Sequence, residues 1–278
     1  MTGSAQGTAP GAAARSSFYA GMRVLPRPER EAMYAIYAFC RAVDDIADDQ
    51  GTDRATRAAQ LNGWRRDIAD LYAGGDGGQA AFLGTAVHRF ALARADFDAV
   101  IDGMAMDVAR DICWPPHAEL DLYCDRVASA VGRLSVRVFG MEEAPGLALA
   151  HHLGRALQLT NILRDIDEDA AIDRVYLPGE AIAAAGISTG DVMRVVTDPR
   201  IDQVAQGVAA QARVHFAEAG RILKARPRGH LIAPRLMAGA YSQLLDRMIA
   251  AGWTMPRRRV RHNRLALLWL LVRLRLAR

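Results

Sequence analysis

Between residues 28 and 49 apolar side chains return every three or four residues, at Met33, Ile36, Tyr37, Cys40, Val43 and Ala47, with Asp44 in the same register. A period of 3.6 places them on one face of an α-helix. Pro28 falls near the start, where its missing N–H is harmless. The constraint comes from the acids. Asp44 and Asp48, four residues apart, share one helical face at about 6 Å. Like charges so placed repel, and aspartate has no helix propensity to compensate. One such pair alone reads as a solvated surface face.

The pattern occurs twice. In Gln158-Leu-Thr-Asn161-Ile-Leu-Arg164-Asp165-Ile-Asp-Glu-Asp169, the residues Asn161, Asp165 and Asp169 follow one another at i+4 steps, with Gln158 just above. A continuous helix would line them along one face. Rows of oxygen ligands suit hard divalent cations, and Mg²⁺ combines few carboxylates with substrate phosphate oxygens. Two facing rows can hold several ions bridged by a diphosphate, whose departure they assist. Arg41 precedes the first row by one turn, while Arg164 and Arg174 accompany the second, and guanidinium fits phosphate oxygens. Two rows, each set in apolar sequence and each with arginine nearby, are hard to explain as solvated surface. Asp45, Asp49, Asp167 and Glu168 lie beside the rows and read as outer or solvent-facing groups.

The remaining chain repeats the helical period. Helices are predicted over 55–72, stopping at Gly74-Gly75, over 80–110, broken by Pro115-Pro116, and over 120–139, 147–170, 199–223 and 230–252. A loop holds Tyr176, Leu177 and Pro178, and weaker helices run on to Asp198. The 278 residues are 51% hydrophobic but only 6% aromatic, and alanine and leucine dominate. That balance favours helices, so the expected class is all-α. No repeat or linker divides the chain, which points to one domain over 15–278 after a Gly/Ala/Ser/Thr-rich tail over 1–14. Cys40, Cys113 and Cys124 have no metal-type spacing and fit a reducing cytosol. His88, His151 and His152 show no partner spacing and read as structural or exposed. The charge of +4 is concentrated after Lys224, densest at Arg257, Arg258, Arg259, Arg261 and Arg264, and does not amount to a nucleic-acid footprint. No apolar run approaches the ~18–20 residues that span a bilayer. The segment 255–278 alternates arginine with Trp269, Leu270 and Leu271, as in a basic interfacial helix or a partly buried closing helix.

Several phrases in fixed order resemble the squalene/phytoene synthase family: Ser17-Phe18-Tyr19, Tyr34-Ala-Ile-Tyr37-Ala-Phe-Cys-Arg41, Asp44-Asp-Ile-Ala-Asp48, Tyr123 to Gly132, and Leu159-Thr-Asn-Ile-Leu-Arg-Asp165. The resemblance runs from about residue 16 to about residue 250. Ile101-Asp-Gly-Met-Ala-Met-Asp107 and the stretch from Leu120 to Ser135 look most like the bacterial branch that makes presqualene diphosphate for hopanoids.

The resemblance implies an all-α isoprenoid-synthase bundle with a central cavity between the acidic helices. It implies that one farnesyl diphosphate ionises, that the double bond of a second attacks its cation, and that proton loss closes a cyclopropane. Asp44, Asp48, Asn161, Asp165 and Asp169 match metal positions, for Mg²⁺ with Mn²⁺ as the alternative; no NADPH is expected. Ser17, Arg41, Gln158, Arg164, Arg174 and Tyr241 match diphosphate positions, Arg41 and Arg174 also acting in catalysis. Tyr123 matches a tyrosine near the proton-transfer step, although a phenol with a pKa near 10 is a poor base and the departing diphosphate is at least as good an acceptor. Phe18, Tyr37, Val127, Ala128, Val131 and Gly132 match prenyl-pocket positions, where small residues either leave room for a chain or pack helices closely. The implied partners are two farnesyl diphosphates, downstream hopanoid or squalene pathway enzymes, and the inner membrane surface of the cytoplasm. The alternatives are phytoene or dehydrosqualene synthesis, a terpene cyclase, a chain-elongating prenyltransferase and an inactive helical scaffold. Asn161 ahead of Asp165 and Asp169 argues for the head-to-head family.

Overall fold

The computed structural model describes residues 22–261, so Ser17, Phe18 and 262–278 lie outside the described residues. Helix α1, Arg27–Asp48, buries Ala32, Met33, Ile36, Phe39, Val43 and Ala47 along its apolar face. No basic residue lies in its last turn. The cations come from elsewhere: Arg57 and Arg174, both buried, donate to the Ala47 carbonyl at 2.9 and 3.1 Å. Positive charge there satisfies a terminal carbonyl and opposes the helix dipole. Helix α2, Arg54–Ala73, is capped by the Asp53 carboxylate accepting from the Thr56 amide at 3.0 Å and ends at left-handed Gly74.

The predicted helix over 80–110 is three pieces: a 3₁₀ stretch Gly78–Leu83, α3 at Gly84–Phe90 and α4 at Arg94–Ala109. Nothing local announces the break, because the left-handed residue is Ala91, at φ 48°. Tertiary bonds hold it: Arg137 donates to the Ala91 carbonyl at 3.3 Å and Tyr72 to the Leu92 carbonyl at 2.7 Å.

The helix predicted over 120–139 is likewise interrupted. α5, His117–Cys124, passes through a π-helical turn, Asp125–Ser129, into α6, Ala130–Val138. Buried Arg155 pins the turn, donating to Asp121 at 2.7 and 2.9 Å, to Asp125 at 3.1 Å and to the Ser129 hydroxyl at 3.0 Å. Arg155 belongs to α7, Glu143–Arg164, whose backbone presses on the turn at Gly154. A Cβ there would lie 2.7 Å from the Ser129 Cα, a clash with backbone. Gly154→Ala is therefore expected to destabilise by about 1–3 kcal/mol, as overpacking does; thermal denaturation checks it.

The helix predicted over 147–170 ends at Arg164. Asp165 leaves helical geometry, at φ −106° and ψ 16°, and a short α8, Ile166–Ala170, follows. Two side chains intervene. The Trp253 indole donates to the Leu163 carbonyl at 2.9 Å, and Arg164 Nε takes Asp165 Oδ1 at 2.8 Å. Asn161, Asp165 and Asp169 thus occupy two helices and the break between them, instead of one continuous face. After a single parallel bridge, Cys113 to Val175, come α9, Gly179–Ala184, α10, Val192–Thr197, α11, Ile201–Lys224, and α12, Ile232–Ala251.

One hydrophobic cluster joins α1 to α4 and α6, and a second joins α5, the end of α7 and α8 to α12. The acidic end of α1 belongs to the first and that of α7 to the second, so the two rows meet where the clusters adjoin. Among the described residues no helix is long and apolar enough to cross a membrane. Cys40 and Cys124 sit in the packing, their thiols pushed up to about 12 chiefly by burial, and are unreactive.

Candidate active site

Arg174 joins the two acidic walls. Its guanidinium donates to Asp48 Oδ1 at 2.8 Å, while its own amide donates to the Asp169 carbonyl at 2.9 Å. Only 3% of Arg174 is exposed, while the Asp48 side chain it holds remains 55% exposed to solvent.

On the first wall, burial pushes Asp44 up to about 6, with repulsion from Asp48 adding to it and Arg41 opposing. Arg41 stands at the rim, 2.5 Å from Asp44 and also paired with Asp45. Asp49 turns away and caps a local turn through Thr52 and the Gly51 amide. On the second wall, burial and then repulsion from Asp165 push Asp169 up to about 8 against the pull of Arg174. Asp107 and Asp48 add to that repulsion, so the rows face each other closely enough to interact. Asn161 Oδ1 is buried with no hydrogen-bond partner. An orphaned buried carbonyl in one row with the Asp165 and Asp169 carboxylates is an oxygen donor set of the kind hard cations take, and the residues present fit one.

Behind the rows lies a group that the sequence reading left unassigned. Asp107 of α4, 3% exposed, accepts from Tyr123 at 2.9 Å and from Tyr176 at 2.6 Å. The two rings stack at 4.9 Å. Burial raises Asp107, while Arg174 and the two hydroxyls oppose the rise. Burial, then Asp107, lifts Tyr123 well above 10, which makes its phenolate still less accessible near pH 7. An aspartate within the apolar run from Met104 to Val108 was the signal available in the sequence.

A cavity of ≈ 290 Å³ opens beside Asn161 and Gln158, lined by Tyr37, Val127, Ala128, Val131, Gly132 and Tyr241 among others. All four pocket residues predicted on α6 and its π-turn are there, with Tyr37 across from them. Gly132 also brings α6 close to α7, since a Cβ on it would lie 3.0 Å from the Ala150 Cα. Its smallness serves packing and cavity together. Tyr241 hydrogen-bonds Arg164, linking the cavity mouth to the second wall. Ser17 and Phe18 lie outside the described residues.

The segment 255–261 is not a helix and turns toward the acids. Arg259 contacts Asp165 at 2.5 Å and Glu168 at 3.0 Å; Arg257, with its side chain 7% exposed, contacts Asp167 at 2.5 Å. Asp167 and Glu168, predicted to be outer or solvent-facing, anchor this arm. Neither the interfacial nor the closing helix extends over these residues; the rest of that segment lies outside the described residues.

A facing pair of acidic rows, bridged by arginine and opening on an apolar cavity, occurs here with family motifs in order. The family model for squalene/phytoene synthase matches residues 12–266. The chain belongs to the squalene/phytoene synthase family. It is 62% identical over 260 residues to a presqualene diphosphate synthase of Zymomonas mobilis, covering 94% of this chain and 89% of that one. A presqualene diphosphate synthase of Rhodopseudomonas palustris is 53% identical, with 89% and 88% covered. Phytoene synthases match at 34–36%. Among solved structures, a dehydrosqualene synthase superposes with a TM-score of 0.80 at 25% identity, covering 94% of this chain and 91% of that one.

Proposed function

We propose that this chain condenses two farnesyl diphosphates head to head into presqualene diphosphate, releasing one diphosphate. The observation that carries the reading is Asn161: its unpartnered Oδ1 belongs to the second acidic wall, and the same residue lines the apolar cavity. A substrate lying there has its diphosphate at the walls and its prenyl chain between α6 and α7. Identity of 62% and 53% to presqualene diphosphate synthases supports that product over phytoene.

Asp44 and Asp48 on one wall and Asn161, Asp165 and Asp169 on the other would hold divalent ions, Mg²⁺ or in its place Mn²⁺. Those ions neutralise a leaving diphosphate. The chain supplies the rest. Arg41, Arg164, Arg174 and Gln158, with Ser17 and Tyr241, bind and orient the diphosphates. Apolar walls exclude water from the allylic cation, and the Tyr37 ring, with Phe18, offers it a π-face. The double bond of the second farnesyl group attacks the cation, and loss of one proton closes the cyclopropane. The departing diphosphate takes that proton. Tyr123 keeps its own, directed at Asp107, and acts as a positioning residue.

Tyr123→Phe is then expected to lower turnover about 10- to 100-fold, the worth of one hydrogen bond to a charged group, with the product and pH profile unchanged. Complete loss of turnover, with the fold intact by circular dichroism, would assign the base to the phenol instead.

Product analysis tests the whole. Purified protein with Mg²⁺ and farnesyl diphosphate, without NADPH, should yield a thirty-carbon diphosphate by mass spectrometry, and added NADPH should leave it unchanged. A thirty-carbon hydrocarbon would move the assignment to dehydrosqualene synthesis, the second reading, which the likeness to that solved structure favours. Turnover only with geranylgeranyl diphosphate would move it to phytoene synthesis.

A further inference from the structure

Away from the acidic walls three histidines come together, two of which, His151 and His152, show no partner spacing in the sequence. His151 and His152 are neighbours on α7, and His215 stands on α11, which packs against it. The nitrogens these rings offer lie within 4.8 Å of one another, and His152 Nδ1 is 3.0 Å from His215 Nδ1. Two imidazoles that share a tetrahedral ion at about 2.0–2.1 Å each have their nitrogens about 3.3 Å apart. His151 stands edge-on to His152, with ring centres 4.8 Å apart, and tilted to His215 at 5.8 Å. We propose that His151, His152 and His215 form a binding site for a late first-row divalent ion of the zinc class, stapling α7 to α11 at the protein surface.

The competing account is a neutral His152–His215 hydrogen bond. It uses one proton and one lone pair and gives the third ring no role. Three converging imidazoles are instead a recurring ligand set for zinc, with a fourth position left to water. His151 is exposed, so water reaches that position. The charges facing the cluster also permit a cation. Arg155 opposes one, but it is shared between Asp121 and Asp125, and Asp125 also takes Arg133, which reaches Asp96; three carboxylates against two guanidiniums leave that group with one net negative charge. Burial first, then the other two histidines and Arg155, lowers His215, so its imidazole is neutral near pH 7 and its lone pair available. Imidazole nitrogen suits zinc, nickel and copper and is a poor match for Mg²⁺, so this site and the acidic walls select different ions. A ligand set drawn from two helices stabilises their packing whenever the ion is bound, because the unfolded chain does not assemble it.

The experiment uses the full chain without a polyhistidine tag. Zn²⁺ is titrated against a chromophoric chelator in the presence of saturating Mg²⁺, and thermal midpoints are recorded at each Zn²⁺ concentration. One ion per chain should bind saturably and raise the midpoint. His152→Gln and His215→Gln should each weaken binding by more than about 100-fold, beyond what losing an outer-shell partner costs, and abolish the midpoint shift. Far-UV circular dichroism and Mg²⁺-dependent turnover should stay at parental values in both. Co²⁺ in the parent should give the visible bands of a tetrahedral nitrogen-rich centre, absent from either variant. The proposal is overturned by substoichiometric binding, or by binding that persists within tenfold in both variants. It is equally overturned if the variants shift the midpoint but zinc does not, the signature of a plain histidine pair.

Discussion

Asp169→Asn should abolish nearly all turnover while leaving the metal-free protein at least as stable as the parent. The opposite signs follow from where the carboxyl sits. Burial, then Asp165, pushes Asp169 up to about 8, so near pH 7 the metal-free protein carries it largely protonated. A folded-state pKa above the unfolded value of about 3.9 means that the folded form holds the proton more tightly. Stability is then lost as pH rises from about 4 toward 8. Asparagine resembles the protonated acid and escapes that loss. Metal binding reverses the preference, because only the ionised carboxylate is a ligand for a hard cation. In the parent the apparent Mg²⁺ affinity should rise between pH 6 and 8, first as Asp44, at about 6, and then as Asp169 gives up its proton. In Asp169→Asn the upper part of that rise should vanish and the lower part remain. Turnover should fall about 10³-fold, the several kcal/mol a bound cation contributes to a departing anion. Denaturation midpoints with and without Mg²⁺ across pH check all three. A metal-free variant clearly less stable than the parent at pH 8 would sink the account, since it would mean that the ionised form is the one the fold prefers.

The features legible in the sequence and those missed divide by the range of the forces involved. Helix α1 was readable because its burial pattern, N-terminal proline and acidic pair all lie within 22 residues. The residues of the two acidic rows were readable for the same local reason, although the second row is broken where one helix was expected. The breaks at Ala91 and Asp165 were not, because the groups that hold them come from afar: Arg137 and Tyr72 for the first, Trp253 for the second. Nor was the pairing of Arg259 with Asp165 across 94 residues, which the basic and apolar patterning does not announce. Asp107 lay inside a quoted motif, yet its role depends on Tyr123 and Tyr176, 16 and 69 residues away. His215 was invisible for a similar reason, since a partner spacing of 63 residues has no periodic signature. Local propensity predicts elements, while a site is a product of contacts between them.

Arg174 is where those long-range contacts converge, and Arg174→Ala should be the most damaging single change to the fold among the site residues. The side chain spans 126 residues of sequence to reach Asp48 and takes the Ala47 carbonyl besides, almost wholly out of water. It is also the cation whose pull restrains Asp107 and Asp169. Asp48, its side chain 55% exposed, falls back on water when the arginine is lost, so that pair contributes about 1 kcal/mol or less; the larger cost comes from Asp107 and Asp169, which stay desolvated and unopposed. Here three carboxylates would lose one counter-charge together. The penalty should therefore be largest near pH 8 and shrink toward pH 5, where the acids with raised pKa values take up protons and no longer need it. Saturating Mg²⁺ should recover part of the loss, since it places positive charge between the same carboxylates. Arg174→Lys should recover less than its charge suggests: an ammonium is a point donor on a flexible stem and cannot serve the Asp48 carboxylate and the Ala47 carbonyl with a fixed fork. Turnover should fall at least about 100-fold in Arg174→Ala even at Mg²⁺ concentrations that restore the fold, because the diphosphate loses a preoriented donor. Chemical denaturation at pH 5 and pH 8, with and without Mg²⁺, separates charge from packing. An equal loss at both pH values, indifferent to the ion, would mean that the arginine acts as a spacer and that the two walls are held apart by shape alone.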